Sequence, residues 1–127
     1  MPSKLLRNKL GSDAEAFACQ YLSEQGLKIL AQNYRIRQGE IDIIAQEHET
    51  LVFIEVRMRK HHSFGGAAQS IDARKQQRLI KTAQHYLMKT GLTDAQPCRF
   101  DAICLSPAPS SQQDSFTTDW IRDAFRP

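Results

Sequence analysis

A chain of 127 residues, 41% of them hydrophobic, has material for one domain with one core, and no apolar run in it is long enough to cross a bilayer. Met1 to Asn8 carry Lys4 and Arg7 among few apolar side chains, so the apolar part of a secretion signal is missing and a cytoplasmic protein is expected. Net charge is +3, which permits a nucleic-acid partner without demanding one, and Cys19, Cys98 and Cys104 are too few and too scattered for a disulfide framework or a zinc site.

Residues 1–10 read as a loose N-terminal arm. Ser12-Asp13-Ala14-Glu15 then has the form of a capping box, with Ser12 as N-cap, and opens a helix over about Asp13 to Gln25 that Gly26 stops. Leu27 to Arg37 suits a strand, and Gln38-Gly39 a turn. Glu40 to Ala45 is a second strand, Gln46 to Glu49 a polar turn, and Thr50 to Met58 the strongest strand signal in the chain; the three form an antiparallel meander. Lys60 to Gln69, with Gly65-Gly66, is a loop. Ser70 is placed to cap a long helix over Ile71 to Thr90, whose stripe of Leu79, Ala83, Tyr86 and Leu87 is apolar and whose remainder, with Arg74, Lys75, Arg78, Lys81 and Lys89, is basic. Arg99 to Leu105 is a fourth strand, residues 106–113 a flexible Pro- and Ser-rich loop, and the tail with Trp120, Ile121 and Phe125 has enough apolar weight to dock on the domain. The order is α-β-β-β-α-β in a single domain. The helix between strands three and four implies a crossover and a parallel strand pair.

Alternation along the strands puts Glu40 and Asp42 on one face of the second strand and Ile41 and Ile43 on the other. On the third, Leu51, Phe53, Glu55, Arg57 and Arg59 share a face that begins apolar and turns charged at Glu55. A hairpin brings Asp42 beside Glu55 at one edge of the sheet, where neighbouring strands lie about 4.8 Å apart. Two carboxylates so placed can share a divalent cation; without one they repel and one pKa rises. A cross-strand ladder of salt bridges among Glu40, Asp42, Glu55 and Arg57 accounts for the same residues, and spacing alone does not separate the two. Basic residues cluster at Arg35 and Arg37, and again from Arg57 through Arg59 and Lys60 to His61 and His62. The second cluster leads into the Lys60–Gln69 loop, which either is simply solvated or grips phosphates.

The run Gly39-Glu40-Ile41-Asp42-Ile43-Ile44-Ala45, followed by Leu51-Val52-Phe53-Ile54-Glu55-Val56-Arg57-Met58-Arg59, resembles the GEIDLIA and VFVEVKxR blocks of the YraN family of bacterial proteins. Glu15, Ala16, Tyr21 and Leu22, Asn33-Tyr34-Arg35, Lys75, Tyr86-Leu87, Arg99-Phe100-Asp101 and Ala124-Phe125 extend the resemblance over nearly the whole chain. That family is similar to archaeal Holliday-junction resolvases and to the PD-(D/E)xK nucleases. The likeness implies a restriction-endonuclease-like α/β fold, a mixed sheet flanked by helices. It also implies a Mg²⁺ site (Mn²⁺ as substitute) made by Asp42 and Glu55, with Glu15 assisting through water, and a homodimer. Arg57 stands where the pattern has lysine. A guanidinium can stabilise phosphate charge but does not lose a proton, so it cannot act as a base.

Two functions follow as expectations. One is a Mg²⁺-dependent endonuclease on branched or structured DNA, with Asp42, Glu55, Arg57 and Glu15 as the catalytic set and Arg57, Arg59, Lys60 and Lys75 on the phosphates. The other is a binding module of the same fold that does not cut; a protein-binding scaffold is a third reading, which leaves the acidic residues idle.

Overall fold

The computed structural model describes residues 4–58, 71–92, 96–107 and 116–127, with side chains from residue 13 onward. Its elements run α1 (Lys4–Glu24), β1 (Lys28–Ile36), β2 (Gly39–Glu47), β3 (Thr50–Met58), α2 (Ala73–Thr90), β4 (Cys98–Pro107) and β5 (Phe116–Phe125). The strands form one mixed sheet in the order β1-β2-β3-β4-β5. Three pairs are antiparallel, and β3 with β4 is parallel, as a helical crossover requires. This is the α-β-β-β-α-β arrangement of a nuclease-like fold, with one strand more than the sequence reading assigned.

A helix covers each face of the sheet. Ala14, Ala18 and Leu22 of α1 pack on Ile43, Ala45, Val52, Ile54, Ile103 and Leu105. Leu79 and Ala83 of α2 pack on Ile41, Ile44, Leu51, Phe53, Phe100 and Ala102. The central strand β3 is therefore buried on both faces from Leu51 to Glu55, which is why its sequence reads as a near-continuous apolar run.

Several boundaries differ from expectation. α1 begins at Lys4, so Ser12 lies within the helix and is not its N-cap, and residues 4–10 are helical rather than a loose arm. The run from Lys4 to Leu10 is built mostly from Lys, Leu and Arg, all good helix formers, and this outweighs the cost of Gly11 and Ser12 inside a helix, about 1 kcal/mol for a glycine. The N-cap of α2 is Asp72, whose carboxylate accepts the Lys75 amide at 2.8 Å; the expected cap, Ser70, lies outside the described residues. Gly91, in the left-handed region at φ 76°, stops α2 as expected. Residues 106 and 107 belong to β4 rather than to a loop, and 108–115 lie outside the described residues.

The tail does more than dock. β5 pairs along the length of β4, from Pro107↔Phe116 to Phe100↔Phe125. Buried Asp101 anchors it, accepting hydrogen bonds from Arg99 Nε at 3.0 Å, Trp120 Nε1 at 2.9 Å and the Asp123 amide at 2.8 Å. Asp123 has φ 54°, and the β4–β5 register shifts between Phe100 and Ala102, so the bulge turns that amide onto the carboxylate. Arg99 and Arg122 both reach Glu47 on β2, at 2.8 and 2.9 Å, and the Arg122 guanidinium lies 3.8 Å from the Trp120 ring centroid. Burial pushes the Glu47 carboxyl up, but the two guanidiniums outweigh it and hold it below the usual range.

Candidate functional site

The β2–β3 ladder runs from Glu47↔Thr50 to Ile43↔Ile54 and then stops. Continued by one more step, it would offer the Val56 amide to the β2 backbone. Instead the Asp42 carboxylate takes that amide, Oδ2 accepting at 2.8 Å. The strands fork here, and Asp42 reaches into the fork. The strict alternation expected for β2 also breaks at this point. Ile41 joins the cluster under α2, whereas Ile43 joins the one under α1, so Ile41 and Ile43 do not share a face. Ile41 and Asp42, though consecutive, both meet the α2 side, while the β1–β2 register runs unshifted from Gln32↔Ile43 to Tyr34↔Ile41.

Glu55 follows the expected parity and lies on the α2 side with Leu51 and Phe53. Asp42 and Glu55 thus line one cleft of about 430 Å³, together with Gly39, Glu40 and the α2 residues Lys75, Arg78 and Leu79. The cleft lies between two interior strands and α2, not at a lateral edge of the sheet. Glu55 is 7% exposed; the Lys75 ammonium pairs with its Oε1, and its Oε2 is buried with no hydrogen-bond partner.

Burial drives the Asp42 carboxyl up, the Val56 amide opposes it, and the charges of Glu15, Glu55 and Glu40 add to the rise; the result is a pKa of about 7. Glu15, on the α1 side, is therefore near enough for its charge to be felt at Asp42. Among the described residues no three His, Cys, Asp or Glu side chains converge tightly enough to hold a metal by themselves. Any ion here would rest on Asp42 and Glu55 with solvent completing its shell.

Arg57 is half-buried on β3 opposite Cys104 of β4 and does not line the cleft. The cation next to Glu55 comes from α2 instead, as Lys75. Arg59 and Lys60 lie outside the described residues, as do His61, His62 and the loop through Gln69. Sequence reasoning placed Lys75 among phosphate contacts and missed its bond to Glu55. Only the distance between α2 and β3 reveals that pair.

A mixed five-stranded sheet between two helices makes this an α/β protein of nuclease-like fold. The chain belongs to uncharacterised protein family UPF0102, which it matches over residues 14–105. It is 53% identical over 117 residues to a UPF0102 protein of Methylobacillus flagellatus, covering 92% of this chain and 96% of the relative. A UPF0102 protein of Alcanivorax borkumensis is 48% identical, covering 95% and 96%, and UPF0102 protein NE0719 of Nitrosomonas europaea is 51% identical, covering 91% and 92%. The match runs from the middle of α1 through most of β4, and so includes Asp42, Glu55 and Lys75. No described helix is long and apolar enough to cross a membrane.

Proposed function

We propose that the protein binds structured DNA and that the Asp42–Glu55 cleft is a divalent-metal-dependent phosphodiesterase site. The observation that carries the reading is the unpartnered, buried Glu55 Oε2 facing the same cleft as the desolvated Asp42. A buried acceptor without a partner costs about 1–3 kcal/mol, more when charged, and a cation shared with Asp42 removes both that cost and the repulsion between the acids. The donor set is all oxygen and carboxylate-rich, which suits Mg²⁺, with Mn²⁺ as substitute. When bound, such an ion supplies Lewis-acid help to phosphodiester hydrolysis.

The chain's own residues do the rest. Lys75 holds Glu55 in one orientation through Oε1 and leaves Oε2 without a partner, so that this oxygen would be available to a cation. The Val56 amide does the same for Asp42, fixing Oδ2. Glu15 acts on Asp42 through charge from the α1 side. Arg57, Arg59 and Lys60 continue from Glu55 along the chain and supply phosphate contacts. Arg57 favours a second reading, binding without cutting, because it replaces the lysine of the nuclease pattern with a group that gives up no proton. A homodimer, implied by the likeness to resolvases, would present two such clefts.

The test is single-turnover cleavage of labelled linear, forked and four-way DNA in Mg²⁺, Mn²⁺ or EDTA. Wild type is expected to cut a branched substrate with metal only, Asp42→Asn to bind as well or better in Ca²⁺ and not cut, and Arg57→Lys to cut faster. No metal-dependent cutting by wild type or Arg57→Lys on any substrate would overturn the catalytic reading and leave binding.

A further inference from the structure

A second and larger cleft, of about 710 Å³, opens between the β1–β2 hairpin and α2. Its walls carry Arg35 and Arg37 from the hairpin and Arg74, Arg78 and Lys81 from α2. Against these five cations stands one carboxylate, Glu40, which pairs with Arg35 at 3.2 Å. Arg37, Arg74, Arg78 and Lys81 make no ion pair with any described residue. Arg74, Arg78 and Lys81 follow one another at four and three residues, so they form a single stripe about 10 Å long on one side of α2.

The groove has a stiff floor. A methyl group placed on Gly39 would meet Thr82 Oγ1 at 2.8 Å and the Arg78 carbonyl at 3.1 Å, so the hairpin presses directly on α2. The cations are mounted on two elements locked together, not on a free loop. The groove is also continuous with the Asp42–Glu55 cleft, because Gly39, Glu40, Arg74 and Arg78 line both.

We propose that this groove binds the phosphodiester backbone of duplex nucleic acid without reading its sequence, and leads it to the carboxylate cleft. The second half of that statement rests on the function proposed above; the first does not. Cations in a row, free of ion pairs among the described residues, fit a row of phosphates, and arginine forks onto phosphate oxygens. A string of phosphates also suits a groove that continues into a second cleft, where a small anion would occupy only one point. Among the described residues lining the groove there is no aromatic side chain, so it offers no platform on which unstacked bases could rest. Backbone contacts without base contacts position a duplex and carry no sequence information.

The test is fluorescence anisotropy in EDTA across a salt series, with two 30-base-pair duplexes of unrelated sequence and one single strand of the same length. Wild type is expected to bind both duplexes equally and the single strand more weakly. The triple variant Arg37→Ala/Arg78→Ala/Lys81→Ala should lower the log–log salt slope by about 2–3, from roughly 0.9 per phosphate contact, and weaken binding by roughly tenfold or more. Lys28→Ala, at the far end of β1, is the control and should change neither by as much. Circular dichroism confirms that each variant is folded. An unchanged slope in the triple variant, an equal loss in Lys28→Ala, a preference for single strand, or no binding by wild type would each overturn the groove. Failure of the two proposals is separable: a wild type that binds through the groove yet never cuts removes only the phosphodiesterase, and a triple variant that binds normally while wild type cuts removes only the groove.

Discussion

Asp42→Asn should make the metal-free protein more stable, and the gain should depend on pH. The carboxyl has a pKa of about 7 in the fold against an ordinary 3.8. Between those values the folded chain holds a proton that the unfolded chain has released, so stability falls as pH rises through that window. At about 1.36 kcal/mol per pH unit the full penalty above pH 7 is about 4 kcal/mol. Solvent still reaches part of the half-buried carboxyl, which trims the expected gain to about 2–3 kcal/mol. Asparagine removes the ionisation and keeps the acceptor, since its carbonyl oxygen can take the Val56 amide at the 2.8 Å position now held by Oδ2. The assay is urea unfolding of both proteins in EDTA at pH 8, 6 and 4. The gain should be full at pH 8, smaller at pH 6 and nearly gone at pH 4; at pH 8 it corresponds to roughly 6–12 °C in melting temperature for a domain of this size. Adding Mg²⁺ at pH 8 should raise wild type and leave the variant unmoved, closing the gap. A variant no more stable than wild type at pH 8, or one whose advantage grows on acidification, would refute the account of Asp42.

Two further substitutions test the frame that holds the site. Asp101→Asn puts an amide donor against a set of donors — Arg99 Nε, Trp120 Nε1 and the Asp123 amide — and leaves the Arg99 guanidinium one carboxylate short, so urea unfolding should show a loss of about 3–5 kcal/mol; a loss below about 1 kcal/mol would mean the anchor of β5 lies elsewhere. Gly39→Ala should cost about 1–3 kcal/mol by overpacking against α2, and Gly39→Ala/Thr82→Ala should recover part of it in the same melts, because one of the two closest atoms is then gone; full tolerance of the single change would mean the hairpin stands off from the helix.

The parts of this fold that were legible in the sequence are those fixed by local pattern. Thr50 to Met58 reads as a strand because both its faces are buried, and Glu55 stands out because it interrupts that apolar run. β5 was not legible because its identity is a matter of partners. Phe116–Phe125 has a mixed exposure pattern and follows a Pro- and Ser-rich stretch; it becomes a strand through β4 and through Asp101, 19 residues from Trp120. The fork was hidden for a related reason. Strict alternation put Asp42 on the correct side of β2 and Ile41 on the wrong one, and no residue between Gly39 and Ala45 announces the break. Asp42 lies on the side of Ile44 and Glu55 on the side of Phe53, so alternation places both carboxylates toward α2.

The two ends of the sheet treat charge in opposite ways. At one end Glu47, Arg99, Asp101 and Arg122 form a network in which each carboxylate meets at least one guanidinium, and β2, β4 and β5 are tied by it. At the other end the acids outnumber their partners: Lys75 satisfies one oxygen of Glu55, an amide satisfies one of Asp42, and burial leaves the remainder costly. The pairing at the first end is not complete either, since Arg99 Nη2 is buried with no hydrogen-bond partner, but there every acid has a cation, whereas among the described residues no cation is recorded against Asp42. A neutral residue at position 42 would remove the burial cost and the like-charge repulsion at the fork, and under the proposed function a cation shared with Glu55 would offset the same two costs. In that proposal the basic groove beside it is complementary, because a divalent cation is what carboxylates and a phosphate backbone can hold in common.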